Sequence, residues 1–224
     1  MARRDEVVLV IPDLHIPYQH PQAFSFLARI KKQYSPNLVI CTGDEIDAHP
    51  FSRYDPDPDG NSPERELALA VKQLRRLYKI FPSARVCESN HVQRIYRKAF
   101  AAGLPKRCIR SEAEILEAPK GWTWRRHWEH NGVIYQHGDG YAGASAAVKA
   151  ATLNRCSTVI GHVHSHAGIK WMTSVASTIF GFNVGCLIDP DAIAFQYAKH
   201  QAARPTLGCG VIVNGVPRFE PLCL

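Results

Sequence analysis

Five apolar segments of this chain each run directly into a side chain that can hold a metal ion or carry a proton. Residues 6–12, 37–44, 84–89, 132–138 and 157–161 are short, rich in Val and Ile, and read as buried strands. The first delivers Asp13 and His15, the second Asp44 and Asp47, the third Asn90 and His91. The fourth delivers His137 and Asp139, and the fifth His162 and His164. In layered α/β folds the ligand site lies beyond the carboxyl ends of the strands. A chain that repeats the pattern five times is therefore constrained to a fold that brings those ends to one edge.

The segments between the strands agree with that class. Residues 21–34 read as a helix with Pro21 at its first turn. An amphipathic helix is expected over 63–80, with Ser62 as its cap and Glu64 and Glu66 near its N-terminus. Residues from His91 onward read as helical and stop near Gly103; a further helix is expected over 142–154, and one short helix within 104–121. "TWRRHW" and "KWMTSVA" read as strands, and Asn214-Gly215 in "LGCGVIVNGVPRF" marks a hairpin. At 224 residues the expectation is a single α/β domain over 1–224. The Asp/Pro-rich loop 54–63 follows Asp47 and reads as a lid over the site or a solvated linker.

Charge narrows the partners. The formal net charge is +7, concentrated in 71–79, 94–98, 105–110 and 122–128. Those stretches read either as solvated helix faces or as a groove for nucleic acid, with Trp122, Trp124 and Trp128 available for stacking. Seven scattered cysteines with no C-x-x-C pair argue against a disulfide framework or a zinc-thiolate site. No apolar run reaches the roughly 18 residues of a membrane span. The N-terminal run is too short for a signal peptide and ends in Asp13, so a cytoplasmic location is expected.

Each polar strand end has an ordinary reading by itself. Asp13 or Asp44 can form a turn, Asn90 can cap a helix, and a lone histidine is usually a hydrogen-bonded loop residue. Five in one chain suit a pair of divalent ions about 3.5–4 Å apart, which needs a bridging carboxylate and N/O donors from several strands. Imidazole, carboxylate and one amide oxygen favour Mn, Fe or Zn over Ca or Mg.

In their order these residues resemble the calcineurin-like metallophosphoesterase superfamily. Its D-x-H, G-D-x-x-D, G-N-H-[DE], lone H before G, and G-H-x-H stand here as Asp13-Leu14-His15, Gly43-Asp44-Glu45-Ile46-Asp47, Ser89-Asn90-His91-Val92, His137-Gly138 and Gly161-His162-Val163-His164. The motifs span about residues 6 to 166. Chain size and the "FSRY" after Asp47 look like phage and prophage members, which would place the protein in a host cytoplasm. The resemblance implies a four-layer β-sandwich, two mixed sheets flanked by helices, with the dimetal site at the strand C-terminal edge. It implies that Asp13, His15 and His164 hold one ion, that Asn90, His137 and His162 hold the other, and that Asp44 bridges them. The implied ions are manganese first, with iron, zinc or nickel as alternatives. His91 would face the substrate as general acid or transition-state stabiliser, and His166 lies outside the motif.

Three departures carry information. Ser89 replaces the motif glycine, which would strain the chain if that position needed a positive φ. Val92 replaces the acidic residue after the histidine, so another group, such as Asp47 or Glu45, must orient His91, or the ring goes without an orienter. Ala48 stands where the protein phosphatases of the superfamily have arginine, which argues against that activity. The expected function is hydrolysis of phosphodiesters in nucleic acid or nucleotides, as a nuclease or phosphodiesterase. The alternative is a phosphomonoesterase on a small metabolite or phosphoprotein. A third reading keeps the metals without turnover. The oligomeric state is left open by the sequence.

Overall fold

The computed structural model describes residues 5–53, 59–192 and 203–223. In chain order the main elements are β1 (Val7–Ile11), α1 (Ala23–Tyr34), β2 (Leu38–Cys41), α2 (Pro63–Ile80), β3 (Ser83–Cys87), α3 (Gln93–Ala101), α4 (Glu112–Ile115) and β4 (Gly121–Arg125). There follow β5 (His127–His130), β6 (Val133–Gln136), α5 (Ala146–Asn154), β7 (Ser157–Ile160), β8 (Ala167–Thr173), β9 (Thr178–Val184), β10 (Gly208–Val213) and β11 (Val216–Pro221).

The continuous apolar run of β1 has a direct cause: all five residues are buried because both of its faces are covered. Val7, Leu9 and Ile11 share an apolar cluster with Phe24, Leu27 and Ile30 of α1 and Leu74 and Leu77 of α2. Val8 and Val10 project the other way, into a second cluster with Val159, Phe180, Phe182 and Val184. Two mixed sheets meet at that second cluster. One has the order β11-β10-β1-β2-β3-β4 and the other β5-β6-β7-β9-β8. Strands β1 to β4 are parallel, as are β6, β7 and β9, so their carboxyl ends point to common edges.

Helices close the outer faces. α2 begins at the expected cap, Ser62, whose side chain accepts from the Arg65 N–H, and α1 and α2 cover the first sheet. The alanine-rich α5 packs on the second sheet through Ala146, Ala147 and Ala150. Gly181 of β9 permits that approach, since a Cβ there would overlap the Ala147 carbonyl oxygen. The Asn214-Gly215 hairpin forms as expected, with φ of 50° and 81°.

The structure corrects several local expectations. "TWRRHW" is not one strand: β4 ends at Arg125 in the first sheet and β5 starts at His127 in the second. Trp122 and Trp128 are not available for stacking; each is buried, with its indole N–H donating to the Phe81 and Val86 carbonyls respectively. Large apolar rings bury more area than any other side chain, and the strand that switches sheets carries them into both cores. Trp124 is half-buried and donates to Glu45 Oε1 at 2.8 Å. α1 begins after Pro21, α3 at Gln93 and α5 at Ala146, and "KWMTSVA" is the end of β8 and the turn after it. Of the loop 54–63, residues 54–58 lie outside the described residues. Among the described residues no helix is long and apolar enough to cross a membrane.

The core assignment makes a stability prediction. Leu74 is fully buried and Leu69, on the same helix, is 37% exposed. Leu74→Ala should lower unfolding stability by about 2–5 kcal/mol. Leu69→Ala should change it by about 0.5 kcal/mol or less. Urea denaturation of the two variants checks the difference; equal losses would contradict the packing.

Candidate metal centre

The carboxyl ends of β1, β2, β3, β6 and β7 place their polar residues around one carboxylate, Asp44. Its Oδ2 lies 3.5 Å from His15 Nε2 and 3.3 Å from His137 Nε2. On the first side, His164 Nε2 stands 3.2 Å from His15 Nε2 and 3.2 Å from Asp13 Oδ2. On the second, His137 Nε2 stands 2.7 Å from Asn90 Oδ1 and 3.1 Å from His162 Nδ1. Two donor groups, Asp13-His15-His164 and Asn90-His137-His162, thus share Asp44. Asp139, also expected at a strand end, is exposed and takes no part; His166 is exposed and meets Ser165.

Local backbone geometry makes this possible. His15, Asp44 and His162 have φ of 48°, 46° and 64°, a region that residues with a Cβ seldom enter. The Asp44 carbonyl accepts from the backbone N–H groups of both Leu14 and His15, which pins the first two turns to each other. The His162 N–H donates to Asp13 Oδ2 at 2.7 Å, which pins the third. Strained conformers held by such bonds gather at functional sites. Ser89 is outside the left-handed region, so the strain expected from its replacing glycine does not arise.

The outer partners decide which nitrogen faces inward. His15 Nδ1 lies 2.7 Å from Asp47 Oδ1, and His137 Nδ1 lies 3.0 Å from the Thr42 carbonyl oxygen. Each Nδ1 donates outward, so the Nε2 of His15 presents a lone pair, and that of His137 does so once its second proton is displaced. Lone-pair atoms then face one another in both groups, an arrangement that repels unless a cation or proton lies between them. Back-bonded imidazoles of this kind are the usual support of metal-ligating histidines. The donor set, buried carboxylate and imidazole with one amide oxygen, therefore fits divalent transition-metal ions.

Electrostatics point the same way. Burial opposes ionisation of Asp44, yet His137 and His91 outweigh it and hold the carboxyl well below the usual range. Asp13 is likewise lowered: burial opposes its charge, and His164 and His137 outweigh it. Burial and the nearby His91 push His15 down, and burial and His137 push His162 down. Burial opposes a charge on His137 and His91, yet Asp44 overcomes it and pushes His137 up to about 10, and Asp44 and Asp47 together push His91 up. Ionised carboxylates and neutral imidazoles are the forms that bind metal, and His137 holds a proton that a cation would displace.

His91 lies at the rim of this cluster. Its Nδ1 donates to the Asp47 carbonyl oxygen at 2.6 Å and lies 3.2 Å from Asp47 Oδ1. Its Nε2 is 3.7 Å from Asp44 Oδ2. Of the two orienting residues considered from the sequence, Asp47 faces His91, whereas Glu45 turns away to Trp124. Burial pushes the Glu45 carboxyl up to about 7. Val92, in place of the acidic residue, is buried in the first core. Asn90 does not cap α3; Val92 occupies the cap position without a side-chain bond.

Two residues, Thr42 and Arg94, and one contact of Asp47 are not predicted from the sequence. Thr42 donates to Asp13 Oδ1 and accepts from His137, Asp47 supports His15 as well as His91, and Arg94 reaches His91. Thr42 directly precedes the Gly-Asp pair, and Arg94 is three residues past His91 on a helix, so spacing was the available signal. Gly161 tests how tightly the centre is built, because a Cβ there would overlap Asp13 Oδ1 and come within 2.7 Å of Thr42 Oγ1. Gly161→Ala should displace Asp13 and weaken metal binding on its side by about tenfold or more, by analogy with the loss of outer supports. Metal titration of the stripped variant checks this; wild-type affinity would mean the site is looser than its contacts.

No protein-family model and no curated protein sequence matches the chain. Among solved structures it is similar to a metallophosphoesterase from Sphaerobacter thermophilus, at 13% identity over 98% of this chain and 89% of that one, with a TM-score of 0.50. It is also similar to Yfce, a phosphoesterase from E. coli, at 15% identity over 92% and 87% of the two chains, TM-score 0.45. A third is Vacuolar Protein Sorting 29 from Cryptosporidium parvum, at 14% identity over 97% of each chain, TM-score 0.46. Two mixed sheets flanked by helices, with the polar cluster at the strand ends, are the metallophosphoesterase-type fold that the motifs implied.

Proposed function

We propose that this chain is a dimetal-dependent phosphoesterase. The observation that carries the reading is the pair of donor groups that share Asp44 Oδ2. In this reading Asp13, His15 and His164 hold one divalent ion, Asn90, His137 and His162 hold the other, and Asp44 holds both. Such ions, manganese first, would polarise phosphoryl oxygens and lower the pKa of an attacking water. Asp47 fixes the rings of His15 and His91 from behind. His91 Nε2 faces the shared carboxylate; when it carries a proton in place of its Arg94 bond, it can give that proton to the departing oxygen.

Within that class we favour diesters of nucleic acid or nucleotides. Support comes from the charge along the segment that leaves His91. Arg97 and Lys98 of α3, and Lys106, Arg107 and Arg110 after it, are exposed. A row of cations suits a substrate that extends beyond one phosphate. The engaged tryptophans remove base stacking at 122 and 128 from the argument. The alternative is a phosphomonoesterase acting on a small metabolite or phosphoprotein.

Mn²⁺ added to the metal-stripped protein, with bis-p-nitrophenyl phosphate and p-nitrophenyl phosphate compared under one condition, separates the two. Faster diester cleavage is expected. Asp44→Asn should reduce metal stoichiometry at both positions and lower turnover by more than about a hundredfold, since it removes a ligand and not merely its support. Wild-type turnover in that variant would overturn the assignment, and metal binding without turnover of either ester by the wild type would favour a binding role.

A further inference from the structure

Arg94 lies in the first turn of α3, where the helix dipole disfavours a cation. The first turn carries no acidic residue to offset it. One Nη atom donates to the Asp47 carbonyl oxygen at 3.0 Å, and the other donates to His91 Nε2 at 2.8 Å. Neither acceptor atom carries a negative charge. Among the described residues no carboxylate lies within ion-pair distance of the guanidinium. A permanent positive charge is therefore held at the rim of the centre, one hydrogen bond from the ring that faces Asp44; Glu66 is near enough to feel it, but among the described residues no carboxylate is bonded to it. A guanidinium has five N–H groups, and only two are engaged here.

We propose that Arg94 contacts the substrate, its free N–H groups binding a non-bridging oxygen of the phosphoryl group that lies against the shared carboxylate and His91. The proposal rests on the phosphoesterase reading for the identity of the anion. Arginine suits the task because its planar fork matches two phosphoryl oxygens and never loses its charge. Its contact with His91 Nε2 also places the guanidinium beside the ring expected to meet the departing oxygen. One anion would then draw on both groups. The residue lies where the motif's acidic neighbour of His91 has been replaced by Val92, so the rim of this centre is more positive than the motif implies.

The test uses inorganic phosphate as the probe, titrated calorimetrically into the Mn²⁺-loaded full chain. Wild type, Arg94→Gln, Arg94→Lys and Lys32→Gln are compared, the last an exposed cation on α1, outside the row of cations that leaves His91. Arg94→Gln should weaken phosphate by about tenfold to a hundredfold, the range for a hydrogen bond to a charged group, with metal stoichiometry unchanged. Arg94→Lys should recover part of that loss, and Lys32→Gln should bind as wild type. On the ester that the wild type hydrolyses, the loss should fall mainly on KM. Wild-type phosphate affinity in Arg94→Gln with intact metal content overturns the proposal. If Arg94→Gln does not fold, Arg94→Lys decides: a wild-type affinity with the fork removed counts against it. A loaded wild type that binds phosphate through Arg94 and hydrolyses no ester overturns the phosphoesterase reading and upholds the contact. Absence of phosphate binding by the loaded wild type overturns both.

Discussion

The carboxylate of Asp44 is the point on which the rest of the arrangement turns. It is buried, ionised, and met from two sides by imidazole nitrogens whose outer atoms are already bonded. A lone buried carboxylate would be expensive, and it persists only where positive charge or donors compensate it. His137 and His91 supply part of that compensation, and the His91 backbone N–H points at Oδ1 from 3.3 Å. The fold is built to hold this charge where water cannot screen it. Cations brought there would be bound strongly for the same reason.

Sheet geometry explains how one carboxylate gathers so many partners. Parallel strands β1 to β3 end side by side, so Asp13, Asp44 and Asn90 arrive from adjacent positions in one sheet. Strands β6 and β7 end side by side in the other, which brings His137 and His162 across the sandwich. The apolar layer of Val8, Val10, Val159 and Phe182 sets the distance between the sheets, and with it the gap the donors span. Packing in the core and donor geometry at the edge are thus one constraint. The positive φ values of His15, Asp44 and His162 are its local expression: each turn must bend sharply to point a side chain back over the edge.

Much of this was legible in the sequence because it depends on short-range pattern. Apolar runs ending in Asp, Asn or His specify both the strands and the residues that leave their ends. Ser62 and Asn214-Gly215 declare a cap and a turn by residue type alone. Contacts between segments distant along the chain were not legible. The sheet switch at Arg126 depends on which core accepts Trp128, and "TWRRHW" alternates equally well as one strand or two. The burial of Trp122 and Trp128 follows from that switch and cannot be read from composition, which made them appear to be surface aromatics in a basic stretch. Thr42 is mute in sequence because a threonine before a turn is ordinary; only its contacts with Asp13 and His137 distinguish it.

The exchange of an acidic residue for Val92 has a physical logic of its own. Val92 is buried in the first core, a place where an unpaired carboxylate would cost several kcal/mol. With that orienter gone, the ring of His91 is fixed by the main chain of Asp47 on one nitrogen and by Arg94 on the other. A carboxylate beside His91 would favour a charged ring and add negative charge at the rim. Here the carbonyl of Asp47, with its carboxylate 3.2 Å away, and the guanidinium of Arg94 restrain the ring, and Arg94 adds positive charge. Arg94 thus restrains the imidazole and sets a positive charge at the rim, whose field an incoming anion meets. Such a field draws anions toward the site before any contact forms. The clustered cations of α3 and of the segment after it extend that field outward from the same point.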